Sequence, residues 1–268
     1  MELQNIQSSQ KEIPVGGMGK EKEQTTGTGS AGARLGGVLT DRDRLACQWV
    51  CEQGAMTADQ LYRAVWWSPE SRSGTYAYNR IGFLSRAGFL KGARTSYSLK
   101  IYYKATKLAH DAASEIVSGD TIIPLHHPKE SETLHTDGLT ELRLAVFRAG
   151  RSTRWQTDRT LVLDAKFPKE RFYGHLPDAV WTMPSGKRVA VEYERTRKGT
   201  ARVRAKVEAF ARELARPDRV FDRVLWVGEG GALPTLRILL SSHPEQMLRT
   251  REEFLSEIAP RVAQGGLS

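Results

Sequence analysis

Residues 176–194, LPDAVWTMPSGKRVAVEYE, restrict the possible folds of this chain more than any other stretch. Pro184-Ser185-Gly186 is a turn signal between two β-prone runs, so the stretch reads as a hairpin. In the second run side chains alternate between faces. Arg188, Ala190, Glu192 and Glu194 share one face, and Val189, Val191 and Tyr193 share the other, as in a central strand. A three-residue loop pairs Thr182 with Arg188 and sets Asp178 opposite Glu192. Asp178, Glu192 and Glu194 then converge at one end of the hairpin. Three such carboxylates repel one another and lose solvation, which calls for a cation. Oxygen ligands with few histidines suit Mg2+ or Mn2+ better than zinc. An ion held there activates water and offsets the charge on a scissile phosphate. Asp178, Glu192 and Glu194 are therefore the candidate metal ligands and catalytic residues. The competing reading is an exposed hairpin with scattered surface acids.

Two further groups are candidates for the same site. Glu141, on the first helix of this half, is a possible fourth acid. Lys206, on the helix after the hairpin, either orients the attacking water and stabilises the phosphorane or belongs to a solvated face. That helix and its approach carry Arg195, Arg197, Lys198, Arg202 and Arg204, a basic patch suited to a DNA backbone. His135 and Asp137 precede Glu141 and are weaker candidates.

Upstream the chain changes character. Residues 1–38 are polar and glycine-rich and cannot bury enough surface to offset their ordering entropy, so a disordered tail is expected. Thr40 is a good N-cap for a helix ending at Gly54, and Thr57 caps a second, Ala58 to about Trp66. A third helix runs from about Ser73 to Ala87, with Ala77, Ile81 and Leu84 at helical spacing. Strands Phe89–Arg94 and Tyr97–Tyr103 follow, then a helix from about Lys107 to Val117. Three helices, a two-stranded wing and a helix make a winged helix-turn-helix pattern.

Charge supports that pattern. The chain of 268 residues carries a formal net charge of +9. The stretch Ser71–His110 holds eight basic residues and no acidic one. A solvated face normally mixes signs, so this bias points to nucleic acid. In such modules the third helix enters the major groove and the wing touches the backbone. Arg72, Tyr76, Asn79 and Arg80, with Arg86 beside them, are the candidate base readers. Lys91, Arg94, Lys100 and Lys104 suit phosphates, and Arg202 extends the surface. Tyr97, Tyr102 and Tyr103 either stack on bases or pack the wing.

The expected organisation is a tail (1–38), a winged helix-turn-helix (39–118), a linker (119–130), an α/β domain (131–260) and a frayed end (261–268). Alternating helices and strands in the second half give the α/β class, α+β overall. Cys47 and Cys51 lack partners to complete a zinc site and read as small buried helix residues, which fits a reducing, cytoplasmic setting. Adjacent His126 and His127 read as part of the linker. No apolar run approaches a membrane span, so no membrane insertion is expected.

Pro177-Asp178 and Glu192-Tyr193-Glu194 resemble the two elements of the PD-(D/E)xK nuclease superfamily. Position 194 departs from that pattern, which wants lysine, and Lys206 is the candidate to replace it. The whole order, from Leu39-Thr-Asp-Arg-Asp43 through Ala87-Gly-Phe-Leu90, His135, Pro177-Asp178, Glu192–Thr196 and Lys206, resembles the replication-relaxation family and the MobC-type plasmid relaxases. That resemblance implies a restriction-endonuclease-like second domain and strand-specific nicking at a transfer origin. It implies double-stranded and single-stranded DNA, and other relaxosome or transfer proteins, as partners. The carboxylates favour cleavage by water over a covalent tyrosyl intermediate. The alternatives are a non-catalytic regulator with a degenerate nuclease fold and an endonuclease that cuts both strands.

Overall fold

Thr40 caps the first helix. Its hydroxyl accepts from the Asp43 N–H at 3.2 Å while the Asp43 carboxylate takes the Thr40 N–H at 2.7 Å. This reciprocal cap sets helix α1, Asp41–Gln53. Gly54, at φ +82, ends it in a conformation that favours glycine. The computed structural model describes residues 38–68, 74–117, 124–125 and 127–258. Most of the expected tail, half of the expected linker including His126, Arg72 and the C-terminal end lie outside the described residues.

The first half continues with strand β1 (Met56–Thr57) and helix α2 (Ala58–Leu61), which passes into a π-helical turn, Tyr62–Trp66. Helix α3 (Thr75–Arg86), strands β2 (Leu90–Thr95) and β3 (Ser98–Ala105) and helix α4 (Lys107–Ser114) follow. The strands form a sheet in the order β1-β3-β2. β1 is too short to show alternation, so sequence reading missed it. The core gathers Cys47, Trp49, Val50, Leu61, Ile81 and Leu84. Burial pushes the Cys47 and Cys51 thiols up to about 12, with little thiolate at neutral pH.

Helix α5 (Glu130–Arg148) opens the second half. It begins well before the apolar stripe that starts at Leu139, because its first two turns are polar. Then come strand β4 (Arg154–Thr157), helix α6 (Asp158–Leu161), a 3-10 turn (Lys169–Phe172), and strands β5 (Ala179–Thr182) and β6 (Arg188–Glu194). Helix α7 (Thr200–Leu214), strand β7 (Arg223–Gly228), helix α8 (Leu233–Leu240), strand β8 (Gln246–Thr250) and helix α9 (Arg251–Ile258) complete it.

The five strands lie in the order β4-β5-β6-β7-β8, antiparallel through β6 and parallel from β6 to β8. Helices cover both faces. Val180, Ala190, Val224 and Trp226 pack on α7 and α8. Ala179, Val189, Val191, Leu225 and Val227 pack on α5 and α9. The period of two along each strand thus feeds two cores. The chain is mixed α/β, α+β overall, and the described residues form one compact unit. No helix among the described residues is long and apolar enough to cross a membrane.

Candidate functional site

The hairpin has the register the turn requires. Met183 N–H donates to Lys187 at 2.8 Å and closes the loop, and Thr182 pairs with Arg188. Ala179 pairs with Val191, so the next step outward sets Asp178 beside Glu192. The Asp178 carboxylate caps the ladder by accepting the Tyr193 N–H at 2.9 Å. Glu192 is fully buried on the α7 face, continuing the row of Ala190. Lys206, one of the buried residues of α7, donates to one Glu192 oxygen. The other, Oε1, is buried with no hydrogen-bond partner.

Helix α5 adds a group that sequence reading held only weakly. His135 Nε2 lies 3.4 Å from Asp178 Oδ2, and its ring packs 5.4 Å from that of Tyr193. Gly138, one turn on, lets Tyr193 lie against the helix. Residues two apart on a helix lie about 200° apart, so Asp137 points away from His135. It accepts from Gln60 at 2.8 Å. Glu141 follows Asp137 by one turn and accepts from the two terminal Arg63 nitrogens, at 2.6 and 2.8 Å. The structure thus puts Glu141 at the junction with the first half and His135 with the carboxylates. Asp158, at the start of α6, is a further acid near Asp178 that sequence reading missed; its N–H donates to the Asp178 carbonyl at 2.9 Å.

The electrostatics are those of a crowded, dry site. Burial pushes the Glu192 carboxyl up to about 8, helped by the charge of Asp178, and the Lys206 ammonium offsets only part of this. Burial also raises Asp178, but His135 and Lys206, with the hydrogen bonds from His135 and Tyr193, hold its carboxyl well below the usual range. Burial alone would lower Lys206; Glu192 and Asp178 raise it instead. Burial would likewise lower His135, and Asp178 raises it. Burial raises Asp158. Lys206 and His135 face the two carboxyls, and where His135 is neutral the second negative charge needs either a proton or a cation.

Glu194 is buried on the same face, but Lys198 holds it, at 2.8 and 2.7 Å from its two oxygens. Among the described residues no three His, Cys, Asp or Glu side chains converge as a ready cage. The pair Asp178 and Glu192, with the unpartnered Oε1, suits a hard cation that keeps several waters, as Mg2+ does.

The candidate DNA readers divide by exposure. Tyr76 and Asn79 on α3, Lys91 and Arg94 on β2, Lys100 on β3, and Arg202 on α7 are exposed. Arg80 instead donates through two nitrogens to the buried carboxylate of Asp43. Lys104 donates to the Pro128 carbonyl at 3.0 Å, and Lys100 lies 3.5 Å from Asp137. Strand β3 thereby rests against the start of α5, the helix that carries His135. Compared with known proteins, the chain matches no family model, no curated protein and no solved structure.

A carboxyl with a raised native pKa favours folding fully below its unfolded value and loses that contribution as pH rises through the native one. Metal-free protein should therefore lose stability between about pH 5 and pH 8 as Glu192 ionises. Glu192→Gln should flatten that slope by a few kcal/mol in urea melts at both ends of the window. An unchanged slope would remove Glu192 as its source.

Proposed function

We propose that this chain is a divalent-metal-dependent DNA endonuclease that nicks one strand, a relaxase of the kind its sequence resembles. In this reading the first half is a winged helix-turn-helix reader and the second a restriction-endonuclease-like core. The observation that carries it is the cluster of buried Glu192 and Lys206 with the partly exposed Asp178 at the end of β6. Ligands in open α/β sheets bind at the carboxyl ends of the strands.

Asp178 and Glu192 would hold Mg2+ or Mn2+, which supplies a Lewis acid and a water of lowered pKa. Lys206 faces the developing phosphate charge and keeps the two carboxyls together. His135 orients Asp178 through Nε2 and fixes its ionised state. The exposed Tyr76 and Asn79 reach base edges, and Lys91, Arg94 and Lys100 follow the backbone. The contacts of Lys100 and Lys104 with the start of α5 hold the proposed reader against the second half. The partners are double-stranded and single-stranded DNA, with other transfer proteins, in the cytoplasm.

One observation favours the second reading, a non-catalytic replication or transcription regulator: Lys198 and Lys206 already partner Glu194 and Glu192. Supercoiled DNA from the element that encodes the chain separates the two. With Mg2+ or Mn2+ it should convert to open circle, and EDTA should stop the conversion. Asp178→Asn and Glu192→Gln should each slow it by about 10²-fold or more. Undiminished nicking by both variants would remove the site, and specific binding without cleavage would favour the regulator.

A further inference from the structure

From Leu90 to Ala105 the chain carries Lys91, Arg94, Lys100 and Lys104 and no acidic residue. The hairpin of β2 and β3 that they build is irregular at its tip. Arg94 pairs with Ile101, but the next pair outward is Thr95 with Ser98. Leu99 and Lys100 of β3 therefore have no opposite residue on β2. Such a bulge bends a strand and re-aims its side chains. Lys100 reaches to 3.5 Å from Asp137, and Leu99 is left 95% exposed. The adjoining turn is pinned, because Ser96 donates its N–H and its hydroxyl to Glu130 at the start of α5.

Leu99 has apolar company. Tyr97 is 62% exposed and Ile101 42%. One exposed leucine needs no explanation, but three large apolar side chains at one hairpin tip mark a contact surface. Ile101 shares its face of the hairpin with the exposed Arg94, directly across the ladder. Charge selects the occupant. A second copy would bring the same cations against these. A duplex supplies phosphates for the cations and, between them, the apolar faces of stacked base pairs.

We propose that this tip is a wedge: Leu99, with Tyr97 and Ile101 beside it, enters between two base pairs from the minor groove and unstacks them, while Arg94 takes a flanking phosphate. The inference rests on the reading of the first half as a DNA reader. In that reading α3 lies in the major groove and the hairpin after it reaches the neighbouring backbone and minor groove. Leucine and isoleucine inserted from that side kink a duplex towards its major groove. The bulge supplies the projection, and the Ser96–Glu130 contact keeps the tip from folding away.

Relaxation of closed circular DNA reads the wedge, because a side chain inserted between base pairs unwinds the helix. The full chain is added in EDTA, which stops metal-dependent cleavage, to closed circles of the element that encodes it, and a metal-independent topoisomerase relaxes them. After removal of protein, circles relaxed with the native chain should be underwound against circles relaxed alone. Leu99→Ala should lose about half or more of that shift while retarding the linearised DNA within about threefold of the native chain. Leu99→Phe should keep the shift, and Leu99→Lys should lose it although its charge favours the phosphates. Ile238→Ala, at a 72% exposed position on α8, should change neither reading. No retardation by the native chain would remove the DNA reader and the wedge with it. Retardation without a shift, or a shift that Leu99→Ala leaves intact, would overturn the wedge alone. A Leu99→Ala chain that elutes at half the native mass in gel filtration would assign the tip to a second copy and overturn it as well.

Discussion

Lys206→Ala should destabilise the chain by about 3–5 kcal/mol at pH 8.5, the usual cost of removing one partner from a buried ion pair. Lys206 is buried and its ammonium is the cation that meets Glu192. Without it, Asp178 and Glu192 face each other with only His135 nearby. Glu192 has an escape, because it can keep its proton. The loss should therefore be smaller at pH 6, where the native carboxyl is already largely protonated, than at pH 8.5. Lys206→Met preserves most of the stem packing on α7 and removes only the charge, so it should share the pH dependence while losing less overall. Urea melts of the two variants at both pH values measure this. Native stability of Lys206→Ala at pH 8.5 would mean that Lys206 is not the counterion.

Gly138→Ala should destabilise as well, against the expectation from helix propensity. Alanine in place of glycine in a helix ordinarily gains about 1 kcal/mol. Here the added Cβ would sit 2.2 Å from Tyr193 Cε1 and 2.4 Å from Cζ and the hydroxyl oxygen. The tyrosine cannot swing away cheaply. Its ring packs against His135, its hydroxyl bonds Glu229, and its backbone is in the central strand, giving its N–H to Asp178. Overpacking of this kind costs about 1–3 kcal/mol or more, so sterics outweigh propensity. Under the proposed function nicking should fall as well, because Tyr193 links α5 to the carboxylates. In Gly138→Ala/Tyr193→Ala the methyl has room, so the two changes should couple favourably in a double-mutant cycle. A Gly138→Ala variant more stable than the native chain would show that α5 is not seated on Tyr193.

The hairpin was legible in the sequence because its turn leaves little choice of register, and register fixes which acids meet. Pro184-Ser185-Gly186 sets Thr182 opposite Arg188, and Asp178 beside Glu192 follows from the pleat. Helix α7 was legible from its periodicity, and with it the placement of Lys206. Long-range ion pairs were not. Arg80 looks like a base reader along the chain, yet Asp43, 37 positions earlier, takes it. Glu141 looks like a fourth acid, yet Arg63, 78 positions earlier, takes it. No local pattern encodes either pairing. Helix α5 begins at Glu130 without an apolar stripe, so neither its first turns nor the facing of His135 showed. β8, whose residues beyond Gln246 are half-buried, lacks the alternation that marks a strand. Asp158 depends on the short helix α6, which has too few residues to show a period.

Calorimetric titration of Mn2+ into the metal-free full-length chain tests the central claim most directly. The account requires a single ion per chain, with binding lost in both Asp178→Asn and Glu192→Gln and retained in Asp137→Asn, whose side chain faces the first half. Binding that survives both carboxylate changes, or no binding at millimolar Mn2+, would contradict it.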